Sequence, residues 1–186
     1  MINKVSAILS EEIKLRLNSS DNEKEVYAYS IEVILSLLIN FIILAITAYI
    51  LKKPAELMIF LIFFSGLRIY AGGYHAKTHI ECISISFIIF IISSLSNNIF
   101  KSYSEIILLA GTAFSVFMVF LYAPAETENK PLSKEEKIKY RKYSRIIVLI
   151  LTVVAFILYF VRVTTNHIFI TAVVSMIIES ISLLKK

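Results

Sequence analysis

The chain has 186 residues, 58% hydrophobic and 18% charged, with a mean hydropathy of +0.77 and a formal net charge of +5. A water-soluble domain carries nearer half apolar and about a quarter charged residues, so that class is excluded. Apolar runs of about 18 residues recur, the length that crosses a hydrocarbon core roughly 30 Å thick, and they define an all-α, polytopic membrane protein.

Residues 1–20 place Ile2, Val5, Leu9, Ile13 and Leu17 at helical spacing, with Lys4, Glu11, Lys14 and Asn18 opposite. That pattern predicts an interfacial amphipathic helix. Glu12 and Arg16 intrude on the apolar face, and a helix packed on a neighbour fits the pattern nearly as well. The first 25 residues lack the continuous apolar core of a cleavable signal peptide. Residues 21–186 are expected to form a six-helix transmembrane bundle, within a single membrane domain over 1–186.

Ser20-Asp21-Asn22-Glu23 reads as a capping box. The helix it opens leads into the first span, 31–51, and stops near Pro54. Further spans are expected at 55–70, from Cys82 or Ile83 to 99, and at 104–122. The last two are 146–163 and 167–184, separated by a turn around Thr164, Thr165 and Asn166. Between the fourth and fifth lies the hydrophilic segment 123–145. Pro124 and Pro131 make its first half extended or turned, and Ser133-Lys134-Glu135-Glu136 starts a charged helix that continues into the fifth span.

Six spans with the N-terminus inside leave only Lys52, Lys53, Lys101 and Arg162 of the 19 lysines and arginines on the outer side. The positive-inside rule therefore predicts cytoplasmic termini and a cytoplasmic 123–145 loop. The charge is spread over loops, so it speaks to orientation and not to nucleic acid.

One polar stretch interrupts the apolar runs 57–64 and 83–92. It reads Arg68-Ile-Tyr-Ala-Gly72-Gly73-Tyr74-His75-Ala-Lys77-Thr78-His79-Ile-Glu81-Cys82 and holds two of the three histidines and the only cysteine. Costly polar groups near membrane depth mark functional sites. A cysteine attacks carbonyls as its thiolate, which a histidine within hydrogen-bond reach can form and stabilise. On one straight helix His75 and Cys82 would stand about 10.5 Å apart at ~1.5 Å per residue, too far for proton transfer. The pair works only if the segment is re-entrant or broken around 68–82, and Gly72-Gly73 supply the permissive backbone. His79, three residues before Cys82, would be a neighbour on a helix and competes as the base. Zinc on His75, His79 and Cys82, or a simply packed cysteine, are the other readings the residues leave open. A small transporter or channel subunit would explain the spans and the intramembrane Glu179, but it gives no reason for a His–Cys pair beside two glycines.

The run Arg68…Gly72-Gly73-Tyr74-His75-Ala76, with Cys82 seven residues after the histidine, resembles the accessory gene regulator B (AgrB) family of bacterial membrane endopeptidases. Tyr122-Ala123-Pro124-Ala125-Glu126 and Asn129-Lys130-Pro131-Leu132 resemble that family's second recognisable stretch. The resemblance covers nearly the whole chain. It implies His75 and Cys82 as the catalytic pair, a plasma-membrane location, an AgrD-like precursor peptide as partner, and a homodimer. It also implies a Cys82 thioester that is passed to an internal Cys or Ser of the peptide to close a thiolactone or lactone. No cofactor or metal is expected. Arg68, Gly72 and Gly73 are candidates for holding substrate, and Lys137, Lys139 and Lys142 for reading its acidic tail.

Overall fold

The structure is a computed structural model, and it describes residues 2–18, 20–74, 76, 78–126, 132–161 and 168–184. Among these, seven helices follow in order: α1 (Ile2–Leu17), α2 (Asp21–Ile50), α3 (Pro54–Ala71), α4 (His79–Ile99), α5 (Ser104–Tyr122), α6 (Lys134–Phe160) and α7 (Ile168–Ser182). A π-helical turn over Leu61–Ser65 lies within α3, and a 3₁₀ turn, Lys101–Tyr103, leads into α5.

Helices α2 to α6 are each long and apolar enough to cross a bilayer. Their outward side chains, Leu37, Phe41, Leu109, Phe117, Ile150 and Val153 among them, are exposed, as expected where lipid replaces water. At 15 residues, α7 spans only about 22 Å. It is the hub of the bundle, packing against α3, α4, α5 and α6, and every residue from Ile168 to Met176 is buried. A helix that is apolar all round must be covered on every side, and here protein covers it.

Small and polar residues let the helices approach α7. A Cβ at Gly111 of α5 would stand 2.5 Å from Val173 Cγ1 and 2.9 Å from Ile177 Cδ1. Thr112 and Ser115 beside it donate to their own helix's carbonyls at Leu108 and Gly111, so they are satisfied without holding the helices apart. Asn97 of α4 accepts from the backbone N–H and the hydroxyl of Thr171, at 3.0 and 2.9 Å. The first four N–H groups of a helix lack intrahelical partners, and Asn97 supplies one of them from across the interface. A second core joins α2, α3 and α4, where Phe60 stacks on Phe64 at 5.1 Å and meets Phe90 at 5.5 Å.

Both expected capping boxes are present. Ser20 caps α2 with Glu23, and Ser133 caps α6 with Glu136. Helix α1 lies against α2. It turns Ser6 and Ser10 inward, and Val5 and Leu9 stay exposed. Polar ties hold it to α2: Lys14 pairs with Asp21, Glu11 with Lys24, and Ser6 Oγ donates to Glu32 Oε1 at 3.1 Å. Serine brings the two backbones close, which the larger apolar side chains would prevent. The turn expected at Thr164–Asn166 lies outside the described residues.

Candidate active site

Helix α3 ends at Ala71 because the next two residues leave right-handed space. Gly72 has φ +77° and Gly73 φ +123°, both accessible to glycine at little cost. The break expected between residues 68 and 82 is therefore present. Gly72 pairs with Ala125 in an isolated parallel bridge, and Ala125 N–H donates to Ala71 O at 2.8 Å. The two motif stretches thus meet in space, with Ala125 directly on Gly72. A Cβ on Gly72 would stand 2.4 Å from Ala125 O. On its other flank Gly73 faces α7, where a Cβ would stand 2.3 Å from Ser182 Oγ and 3.0 Å from Glu179 Oε1.

Arg68 organises this turn. Its guanidinium lies over the Phe64 ring, 5.5 Å from the centroid. Nη1 donates to Glu179 Oε2 at 3.1 Å, and Nη2 donates to the Tyr74 carbonyl. Glu179 is fully buried. An arginine near a span end often snorkels to the interface, but this one turns inward, because a buried carboxylate needs a paired cation. The sequence singled out both residues and gave no sign that they meet.

The chain turns back into α4 three residues earlier than expected. Thr78 caps the helix by accepting from Glu81 N–H at 3.2 Å, so Cys82 falls inside the first turn and its N–H donates to Thr78 O. The Thr78-x-x-Glu81 pattern is a capping signal that could have placed this boundary. Cys82 is exposed, and the N-terminal end of a helix dipole favours anionic charge. Tyr74 O–H donates to Glu81 Oε1 at 2.5 Å, tying the turn to this cap, and that bond holds the Tyr74 phenol above its usual pKa.

His79 Nε2 stands 3.7 Å from Glu32 Oε2. Glu32, which also accepts from Ser6, thus joins α1, α2 and the first turn of α4. His75 and Lys77 lie outside the described residues, as does Lys130. The basic candidates sit on the first turns of α6: Lys137 Nζ pairs with Glu126 Oε1 at 2.7 Å, and Lys139 and Lys142 are exposed. Tyr140 and Tyr143 pack against Tyr70, at 6.3 and 5.5 Å between ring centroids. These contacts gather the broken turn, the Ala123–Ala125 strap, the basic end of α6 and the end of α7 at one end of the bundle.

The fold and this rim define a polytopic helical membrane protein with an exposed cysteine at one end of its bundle. Residues 2–183 match the family described as accessory gene regulator B. The chain is 33% identical over 170 residues to a Clostridium perfringens (strain SM101) protein named "Putative AgrB-like protein", covering 86% of this chain and 79% of the relative. A protein of the same name from Listeria innocua is 32% identical over 139 residues, covering 74% and 67%. No solved structure matches. The chain belongs to the AgrB family, and its role lies in an accessory gene regulator system.

Proposed function

We propose that this protein is a membrane-embedded cysteine endopeptidase that cleaves an AgrD-type precursor on its C-terminal side and cyclises the product. The observation that carries the reading is the position of Cys82. The chain's only cysteine is exposed in the first turn of α4, directly after a turn that the Gly72–Ala125 bridge and Arg68 hold in shape. His75, between Tyr74 and Cys82 in the sequence, is the base. The Cys82 thiolate attacks the scissile carbonyl, the C–N bond breaks, and the departing amine takes its proton from the His75 imidazolium. A Cys or Ser within the bound peptide then loses its proton to His75, attacks the thioester and expels the Cys82 thiolate, closing the ring. Closure is intramolecular and gains from high effective concentration, and a site shielded from bulk water slows the competing hydrolysis. Lys139 and Lys142 attract the acidic tail of the precursor, and Lys137 joins them in exchange with Glu126. The basic-residue bias puts this rim and both termini on the cytoplasmic side.

One observation favours a second choice of base. His79 shares the first turn of α4 with Cys82 and faces the Glu32 carboxylate, which would orient an imidazole as the third group of a triad does. The experiment is precursor cleavage in membranes by Cys82→Ala, His75→Ala and His79→Ala. The proposal expects the first two to be inactive and the third to keep most activity. Exchange of the two histidine results assigns the base to His79, and cleavage by Cys82→Ala refutes the cysteine mechanism altogether.

A further inference from the structure

Glu179 is the one fully buried carboxylate among the described residues, 111 positions from the arginine it meets. Its Oε2 accepts from Arg68, and Oε1 points at Gly73, close enough that no side chain would fit between them. Burying a carboxylate is costly unless a cation pairs with it, so the pair holds Arg68 in a single arrangement. That arrangement aims Nη2 at the Tyr74 carbonyl, the residue immediately before His75. Through its hydroxyl the same Tyr74 is tied to Glu81 in the cap of the helix that carries Cys82.

We infer that Glu179 is a positioning residue for the peptidase reaction. Acting through Arg68, it holds the Tyr74 backbone, immediately before His75, for the proposed reaction of His75 with Cys82. The inference rests on the proposed His75–Cys82 chemistry. It also gives a role to a carboxylate that the cleavage mechanism does not otherwise use. Arg68 serves the site from behind, by holding the backbone, so a plain loss of positive charge and a loss of this geometry have different consequences.

The test uses the full chain in lipid nanodiscs, with iodoacetamide as the probe of its only cysteine and intact mass as the readout. Activation of the thiol by its base makes alkylation at neutral pH fast, and loss of that base slows it by about tenfold or more. Glu179→Gln keeps the shape of the side chain and removes its charge. It is expected to slow alkylation to the level of His75→Ala, with wild-type helix content and wild-type alkylation once denatured. The exchanged pair Arg68→Glu with Glu179→Arg restores opposite charges but leaves no donor for the Tyr74 carbonyl, so it is expected to regain thermal stability without regaining fast alkylation. Wild-type alkylation by either Glu179→Gln or the exchanged pair, with His75→Ala slow, overturns the inference and leaves the His75 assignment standing. Wild-type alkylation by His75→Ala removes that assignment and the inference with it.

Discussion

Gly72→Ala tests how the two motif stretches are joined. Gly72 holds φ +77° with ψ −141°, backbone essentially reserved for glycine that costs another residue about 1–3 kcal/mol. Its new Cβ would stand 2.4 Å from Ala125 O and 3.3 Å from the Ala125 N and C atoms. The obstacle is backbone, so no side-chain rotation relieves it, and the strap must retreat by roughly 1 Å to reach ordinary contact distance. The retreat breaks the 2.8 Å bond from Ala125 N–H to Ala71 O, worth about 0.5–1.5 kcal/mol. The sum is about 1.5–4.5 kcal/mol, or a fall in Tm of about 3–18 °C for a chain of this size. Circular dichroism melts in detergent read the stability, and precursor cleavage by the same preparation reads the site. Gly66→Ala is the matched control. It lies in helical space at φ −60° with nothing within 4 Å of a new Cβ, so the substitution is neutral or gains up to about 1 kcal/mol. A Gly72→Ala protein that melts within about 2 °C of wild type and cleaves at the wild-type rate would show that the strap does not depend on glycine at position 72.

Thr78→Ala removes the cap that places Cys82 in the first turn of α4; it should cost about 1 kcal/mol in the same melts and slow cleavage. Replacing Lys137, Lys139 and Lys142 with Gln should slow cleavage of an acidic-tailed precursor selectively and flatten its salt dependence. Lys139→Gln with Lys142→Gln should keep most of that effect, since Lys137 is already paired with Glu126, and equal slowing of a tail-neutralised precursor would refute tail recognition. The Tyr74–Glu81 bond raises the Tyr74 pKa, so its contribution is complete below the ordinary tyrosine value near 10 and is lost as pH rises through the raised one. The Tm difference between wild type and Tyr74→Phe should accordingly be constant through neutral pH and vanish only in strong alkali.

Local signals in the sequence translated well into structure. Ser20 with Glu23 and Ser133 with Glu136 cap their helices as written, because a cap is decided within four residues. Gly72-Gly73 marks a real break for the same reason: the backbone conformation belongs to those two residues alone. The start of α4 at Thr78 is equally local, a Thr-x-x-Glu cap inside a stretch rich in reactive residues. What the sequence could not carry is pairing over distance. Glu179 stands out in an apolar run, and Arg68 stands out beside the glycines, but no periodicity connects residues 111 positions apart. Nor does an apolar run reveal whether lipid or protein will cover it, so the central place of α7 was hidden. On α1 the small serines, and not the larger apolar residues, turned out to face the neighbouring helix.

A covalent thioester on Cys82 would be seen by intact mass spectrometry of the protein incubated with an AgrD-type precursor whose ring-closing Cys or Ser is replaced by Ala. That substitution removes the nucleophile that would resolve the intermediate. The expected result is a hydroxylamine-sensitive adduct on Cys82 with the mass of the precursor minus its acidic tail, with the free tail released in equal amount. The adduct should be absent from Cys82→Ala and from His75→Ala. Release of the tail by Cys82→Ala, or turnover of the wild-type protein with no adduct at any time point, would contradict it.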